Sequence, residues 1–480
     1  MLNETEIPNL VPQETPTETQ QPTIISPEQP LPTATFEPPP INNNPILYYV
    51  QAADTLQTVA VRFGVDPSEI SSPDSISDTD FLNPGQLLVI PRRLANTTSS
   101  THLIPDSEVV FSPSAIDFDI NTFVDQAGGH LSRASEWLKT TRTLSGAEVV
   151  MRVAIENSIN PRLLLALLEY QSHWIYGEPT NLAQTDYPMG KIDLSQKGLY
   201  HQLVWAVNQL STGYYAYREG RLTEIRFADG VTARLAPDLN AGTAALQYYF
   251  AQLYQGQDWL NALDPATGFP ATHEQMFGNP WERAQTVEPL FPAAISQPPL
   301  ILPFIRNWIW SYTGGPHGAW EHEGAYAALD FAPGSTESGC VKSNAWVLAA
   351  ASGLVVRSGY GVVVLDLDGD GHEQTGWVLL YLHVSTDGRI PVGEWVDAGD
   401  PLGHPSCEGG ISTGTHLHIA RKYNGEWIPA DGPLPFNLGG WVAHYSGAAY
   451  KGTLARDGEV ITACTCASFE TRIIRSDDDP

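Results

Sequence analysis

The stretch CEGGISTGTHLHIA, residues 407–420, sets His416 and His418 two apart behind a turn rich in Gly, Ser and Thr. Residues i and i+2 of a strand share a face, so the two imidazoles aim the same way. A third imidazole, His383, follows Tyr381 in another apolar run of strand type. Imidazoles gathered on neighbouring strands suit metal ligation or proton transfer, and a hydrolytic zinc centre needs three protein ligands with one position open. Acidic groups recur in LDLDGDGHEQTGW, where Asp366, Asp368 and Asp370 precede Gly371 like the start of a calcium loop. That loop lacks the closing bidentate glutamate, having Trp377 there, and lies between strands, so a hairpin turn is expected, with weak calcium binding as the alternative.

The elements that hold these groups are β-type runs such as GVVVLDLDGDG and TGWVLLYLHV, which mark residues 300–450 as a mostly antiparallel β domain. Before it, residues 105–295 are mainly helical, with two apolar-faced helices divided at Asn160-Pro161. Residues 46–93 predict a short strand, a helix capped by Asp54, a second helical region, an Asn83-Pro84-Gly85 turn and a closing strand. Residues 1–45 carry 11 prolines and no Lys or Arg, which predicts a disordered tether. Residues 451–480 form a C-terminal extension. The expected fold class is multidomain α+β.

Composition narrows the partners. The 25 Lys+Arg against 54 Asp+Glu give a net charge of −29, and no basic stripe could track a phosphate backbone, so nucleic acid is excluded. The four cysteines, Cys340, Cys407, Cys464 and Cys466, are an even set compatible with disulfides in an exported protein. No apolar run is long enough to span a bilayer, and the first residues lack the basic and apolar regions of an export signal, so any membrane anchor is expected upstream of Met1. A monomer is expected.

Three family resemblances follow from these motifs. The opening YYVQAADTLQTVAVRFGV and the close LNPGQLLVIP resemble the LysM module, which implies a βααβ fold that binds peptidoglycan or another N-acetylglucosamine polymer. The helix INPRLLLALLEYQSHW resembles that of lysozyme-like lytic transglycosylases, with Gln171 where the family has its catalytic glutamate. An amide has no proton to give the glycosidic oxygen, and Glu169 lies about 200° away around the helix, so the middle domain is expected not to cut glycan.

The β domain resembles the M23 metallopeptidases. Tyr326 stands where the common His-x-x-x-Asp pattern begins, but TGGPHGAWEHEGAYAALDF is similar to the LasA and β-lytic subgroup, whose first histidine lies in a preceding Gly-rich loop. The resemblance implies His317, Asp330 and His418 as ligands of Zn2+, with His322 in reserve for the first position. It implies His383 and His416 as the catalytic pair beside a water whose pKa falls towards about 7, and leaves Tyr381 between assisting the oxyanion and packing. It also implies a Cys340–Cys407 bridge pinning the histidine loop. The expected function is a secreted or cell-envelope zinc endopeptidase acting on peptidoglycan stems or cross-bridges. The alternative is a degenerate protein that binds the wall and regulates other hydrolases.

Overall fold

The tryptophans, valines and leucines of the β-type runs alternate between two cores in the computed structural model, which describes residues 44–292, 294–320, 324–466 and 468–479. Most of the expected tether, and the reserve ligand His322, lie outside the described residues. The main sheet runs from strand Trp395–Val396 through Gly353–Gly359, Val362–Asp366, Trp377–Leu382, Leu417–Tyr423, Ala328–Pro333 and Ile309–His317 to Arg472–Ile474. Neighbouring strands are antiparallel throughout. One face sends Val363, Leu365, Leu379, Tyr381, Ile419 and Phe331 into the peptidase domain's own core. The other sends Val362, Val364, Val378, Leu380, Leu382 and Ala420 into a core shared with the helices. Burial on both faces is why these strands read as unbroken apolar runs.

Residues Asn44–Pro480 form one compact unit. Helix Pro161–Ser172 is apolar on every side, with Leu163 to Leu168 fully buried, as a helix at the centre of a large core has to be. Its start follows the sequence signal: Pro161 occupies the first turn and the Asn160 side chain accepts the Arg162 N–H. Polar contacts fasten the helices to the sheet at strand Glu426–Trp427. Trp427 donates its indole N–H to Asn157 O at 3.1 Å, the Ser158 hydroxyl donates to Gly425 O at 2.7 Å, and Arg218 pairs with Glu426 at 2.8 Å.

Residues 46–93 keep a small core of their own around Val59, Phe63, Leu88 and Ile90. Two local expectations change. The helix Leu56–Phe63 is capped by Thr55, whose hydroxyl accepts the Thr58 N–H at 3.1 Å. Asp54 is buried instead, bound by the Tyr48 hydroxyl at 2.6 Å and by the Arg62 guanidinium, because a buried carboxylate needs such a partner more than the helix end needs a second cap. The second helix shrinks to a 3-10 turn, Pro67–Glu69, because beyond it the Ser and Asp side chains bind their own backbone, as Ser77 does by accepting the Asp80 N–H. The C-terminal extension is built into the main sheet: Ile473 pairs with Trp310 on the strand that ends at His317. Among the described residues no helix is long and apolar enough to cross a membrane.

Candidate metal centre and active site

Strand register brings the three expected ligands together. His418 pairs directly with Asp330, and Asp330 pairs in turn with Gly314 on the strand that ends at His317. Gly314 is required there, because a Cβ would come within 2.5 Å of Asp330 Oδ2. All three residues are buried, on the face of the sheet turned towards the helices.

Their second atoms fix their tautomers. His317 Nδ1–H donates to Gly315 O at 2.8 Å, and His418 Nε2–H donates to Ala319 O at 2.9 Å. A carbonyl can only accept, so when the rings are neutral the inward atoms, His317 Nε2 and His418 Nδ1, are their lone-pair nitrogens. They face each other at 3.0 Å. Asp330 Oδ1 lies 3.3 Å from the first and 3.2 Å from the second, buried and without a well-formed hydrogen bond. Three lone pairs and one negative charge converging in a buried space repel unless a cation sits between them. The ionisation equilibria show the same demand. Burial works against a charged His317, yet the Asp330 carboxylate raises its pKa above the usual histidine value. Burial also opposes the Asp330 charge, but His317 holds its carboxyl well below the ordinary range. Two nitrogens and one oxygen of this kind fit Zn2+.

His383 and His416 sit alongside, their ring centroids 4.4 Å apart. Each is tied at Nδ1 by a backbone carbonyl at 2.8 Å, Glu408 O for His383 and Gly414 O for His416, which leaves both Nε2 atoms as acceptors. His416 Nε2 is 3.7 Å from Asp330 Oδ1. Burial, reinforced by the neighbouring histidines, pushes His383 down to about 3. It follows the strand Trp377–Leu382 in a left-handed conformation, φ 65°, that a β-region strand residue would not adopt. The Cys340–Cys407 disulfide is present, with Cα atoms 5.8 Å apart, and the Glu408 carboxylate accepts the Thr386 N–H at 2.9 Å, so the loop before His416 is fixed at two points. Cys464 and Cys466 pair with each other.

Tyr381 is a packing residue. It points to the opposite face, fully buried, and its hydroxyl accepts the Ala350 N–H at 2.7 Å. Tyr326 stands outside the ligand cluster and packs against Tyr445, ring centroids 5.4 Å apart. The tyrosine at the site is Tyr450, which no motif marks: its ring stacks on His317 at 4.1 Å, held by its own N–H to Pro316 O and by the Gly315 N–H to its carbonyl. Burial and the Asp330 charge raise its pKa.

The site opens into a cleft of about 2610 Å³ whose far wall is formed by the helical body, through Trp137, Arg152 and Val204. Neither Gln171 nor Glu169 lines it. Gln171 Oε1 accepts the Tyr254 hydroxyl at 2.5 Å, and the Glu169 carboxylate holds the chain beyond its helix by accepting the Ile175 and Tyr176 N–H groups. In the Asp366 turn the carboxylates accept the loop's own N–H groups, Gly371 N–H to Asp366 Oδ2 at 2.8 Å among them, as a hairpin requires.

Known proteins resemble the chain in parts. Residues 339–429 match peptidase family M23, residues 102–290 the LasA N-terminal domain and residues 48–91 the LysM domain. The chain therefore carries LysM, LasA-type N-terminal and M23 domains, and it is a metalloendopeptidase. His383, His416 and His418 fall inside the M23 match; His317 and Asp330 precede it. Protease LasA of Pseudomonas aeruginosa strain UCBPP-PA14 is 27% identical over 311 residues, 59% of this chain and 68% of that protein. The strain PAO1 protein is 27% identical over 313 residues. Among solved structures, the M23 metalloprotease pseudoalterin, from the deep sea, is 24% identical, covering 36% of this chain and 96% of its own, with a TM-score of 0.29. The catalytic domain of lysostaphin from Staphylococcus simulans is 26% identical, covering 26% and 90%, with a TM-score of 0.19.

Proposed function

We propose that the chain is a secreted or cell-envelope zinc endopeptidase, monomeric, that hydrolyses peptide bonds in peptidoglycan while its LysM module holds the polymer. The observation that carries this reading is the convergence of His317 Nε2, Asp330 Oδ1 and His418 Nδ1 on one buried point. These atoms would hold Zn2+, which supplies a Lewis-acid centre able to polarise a scissile carbonyl and favour ionisation of a water. His383 and His416 work beside it. With Nδ1 of each ring held by a backbone carbonyl, Nε2 is the working atom of both: one takes the proton of the attacking water at Nε2, and the other, when it carries a proton at Nε2, steadies the developing oxyanion or gives that proton to the leaving amine. The helical body is the region that matches the LasA N-terminal domain, not a lysozyme-like one, and its Gln171 has no proton to give a glycosidic oxygen.

Incubation of the zinc-loaded chain with purified peptidoglycan is expected to release new amino groups and no new reducing ends. His416→Ala is expected to lower that rate by about 10² to 10⁴ while zinc stays bound. Unchanged amine release by the variant, or reducing ends from the native chain, would contradict the assignment.

A further inference from the structure

The cleft is larger than a small-molecule pocket and extends beyond the peptidase domain. Pockets that enclose a small ligand hold roughly 300–1,000 Å³, whereas this one holds about 2610 Å³ and has a second wall outside the peptidase domain. That wall is the antiparallel hairpin of strands Ser135–Leu138 and Arg142–Ser145. Trp137, in its first strand, is 66% exposed and belongs to none of the three apolar cores. Tyr360, at the turn between two sheet strands, lines the same cleft and is 58% exposed. Both are large aromatic faces kept in water, although burying such a side chain is worth about 1.5–3 kcal/mol. Arg152, on the helical wall, has its guanidinium 5.3 Å from the Tyr200 ring and 6.0 Å from the Tyr360 ring, oriented by Glu156 at 3.0 Å and the Thr141 hydroxyl at 2.9 Å. Lys139 lines the same wall.

Exposed aromatic faces match the flat apolar side of a pyranose ring, and a cation lining the same cleft matches a carboxylate carried on that sugar or its peptide. The LysM domain in the same chain belongs to a class that binds N-acetylglucosamine glycans, so a glycan strand is already at hand. We propose that the helical wall is a glycan subsite: Trp137 stacks on a sugar ring of the peptidoglycan strand, Arg152 and Lys139 receive carboxylates beside it, and the peptide attached to that sugar crosses to the zinc wall. The preferred substrate is then a peptide still joined to its glycan. This inference rests on the peptidase reading for its catalytic test, and a binding test makes it independent of that reading.

The zinc-loaded full chain and its Trp137→Ala and Trp137→Phe variants are to be assayed on a soluble cross-linked muropeptide bearing its disaccharides and on the same peptide with the sugars removed. Trp137→Ala should raise KM for the muropeptide about tenfold, with kcat and the bare-peptide kinetics unchanged, and Trp137→Phe should restore most of the loss. Equal losses on both substrates, or no change on either, would overturn the subsite. A gain on both would show that the hairpin merely obstructs the cleft. If the native chain cuts neither substrate, the peptidase reading fails, and calorimetric titration with the disaccharide-bearing muropeptide still decides the subsite: weaker binding to Trp137→Ala supports it, and equal binding overturns it.

Discussion

At the scale of single residues, the site is governed by which atoms are left without a partner. His317 and His418 each spend one nitrogen on a backbone carbonyl, so the other has no choice but to face Asp330. The two histidines do so through different nitrogens, Nε2 and Nδ1, because one lies at the end of its strand and the other inside the sheet. The glycine opposite Asp330 is as necessary as the ligands. Gly314→Ala would place a methyl within 2.5 Å of Oδ2 and push the carboxylate from its position, so zinc affinity measured by chelator competition should fall about 10- to 100-fold, the usual cost of disturbing a group that orients a ligand. Affinity equal to that of the native chain would mean that Asp330 does not ligate from this position.

At the scale of elements, strands were easier to read than their surroundings. The Val and Leu runs and the His-x-His spacing predicted neighbouring strands, and the register delivers His418 opposite Asp330. Asp330 and His317 lie far from His418 in sequence, and only family resemblance joined them beforehand. Tyr450 was illegible because its place depends on a loop that returns to His317 from a separate small sheet. The second wall of the cleft was illegible for a similar reason, since the alternate residues that bind the helices look like ordinary strand core. One junction between strand and helix carries charge: Glu373 pairs with Lys422 at 3.0 Å and Arg357 at 3.1 Å, and Lys422 also donates to Ser158 of the helical body. Burial opposes ionisation of Glu373, but Arg357 and Lys422 prevail and hold its carboxyl at about 2, below the ordinary value of 4.5. A depressed folded-state pKa stabilises fully above pH 4.5, and that stabilisation is lost as pH falls towards 2. Glu373→Gln should therefore cost about 3–5 kcal/mol at neutral pH, by leaving Lys422 and Arg357 without their buried counter-charge, and should flatten the fall in stability between pH 4.5 and 2. Parallel native and variant denaturation curves across that range would contradict the pairing.

At the scale of the whole molecule, the helices and the peptidase sheet share one core while the residues around Val59 and Phe63 keep their own. Calorimetry should accordingly show the helical body and the sheet melting together, in a transition that chelation of zinc lowers, beside a smaller LysM transition that chelation leaves in place. Separate melting of the helical body, untouched by metal, would contradict the shared core. The central claim is that the cluster on the sheet is a zinc centre, and metal analysis of the purified full-length chain tests it most directly. The native chain should hold about one zinc per chain, and His317→Ala should hold almost none while retaining its far-ultraviolet circular dichroism, since a site with two of its three protein ligands binds zinc far more weakly. A folded native chain that takes up no zinc from a zinc-buffered solution, or an His317→Ala chain that binds it as tightly as the native one, would contradict the account.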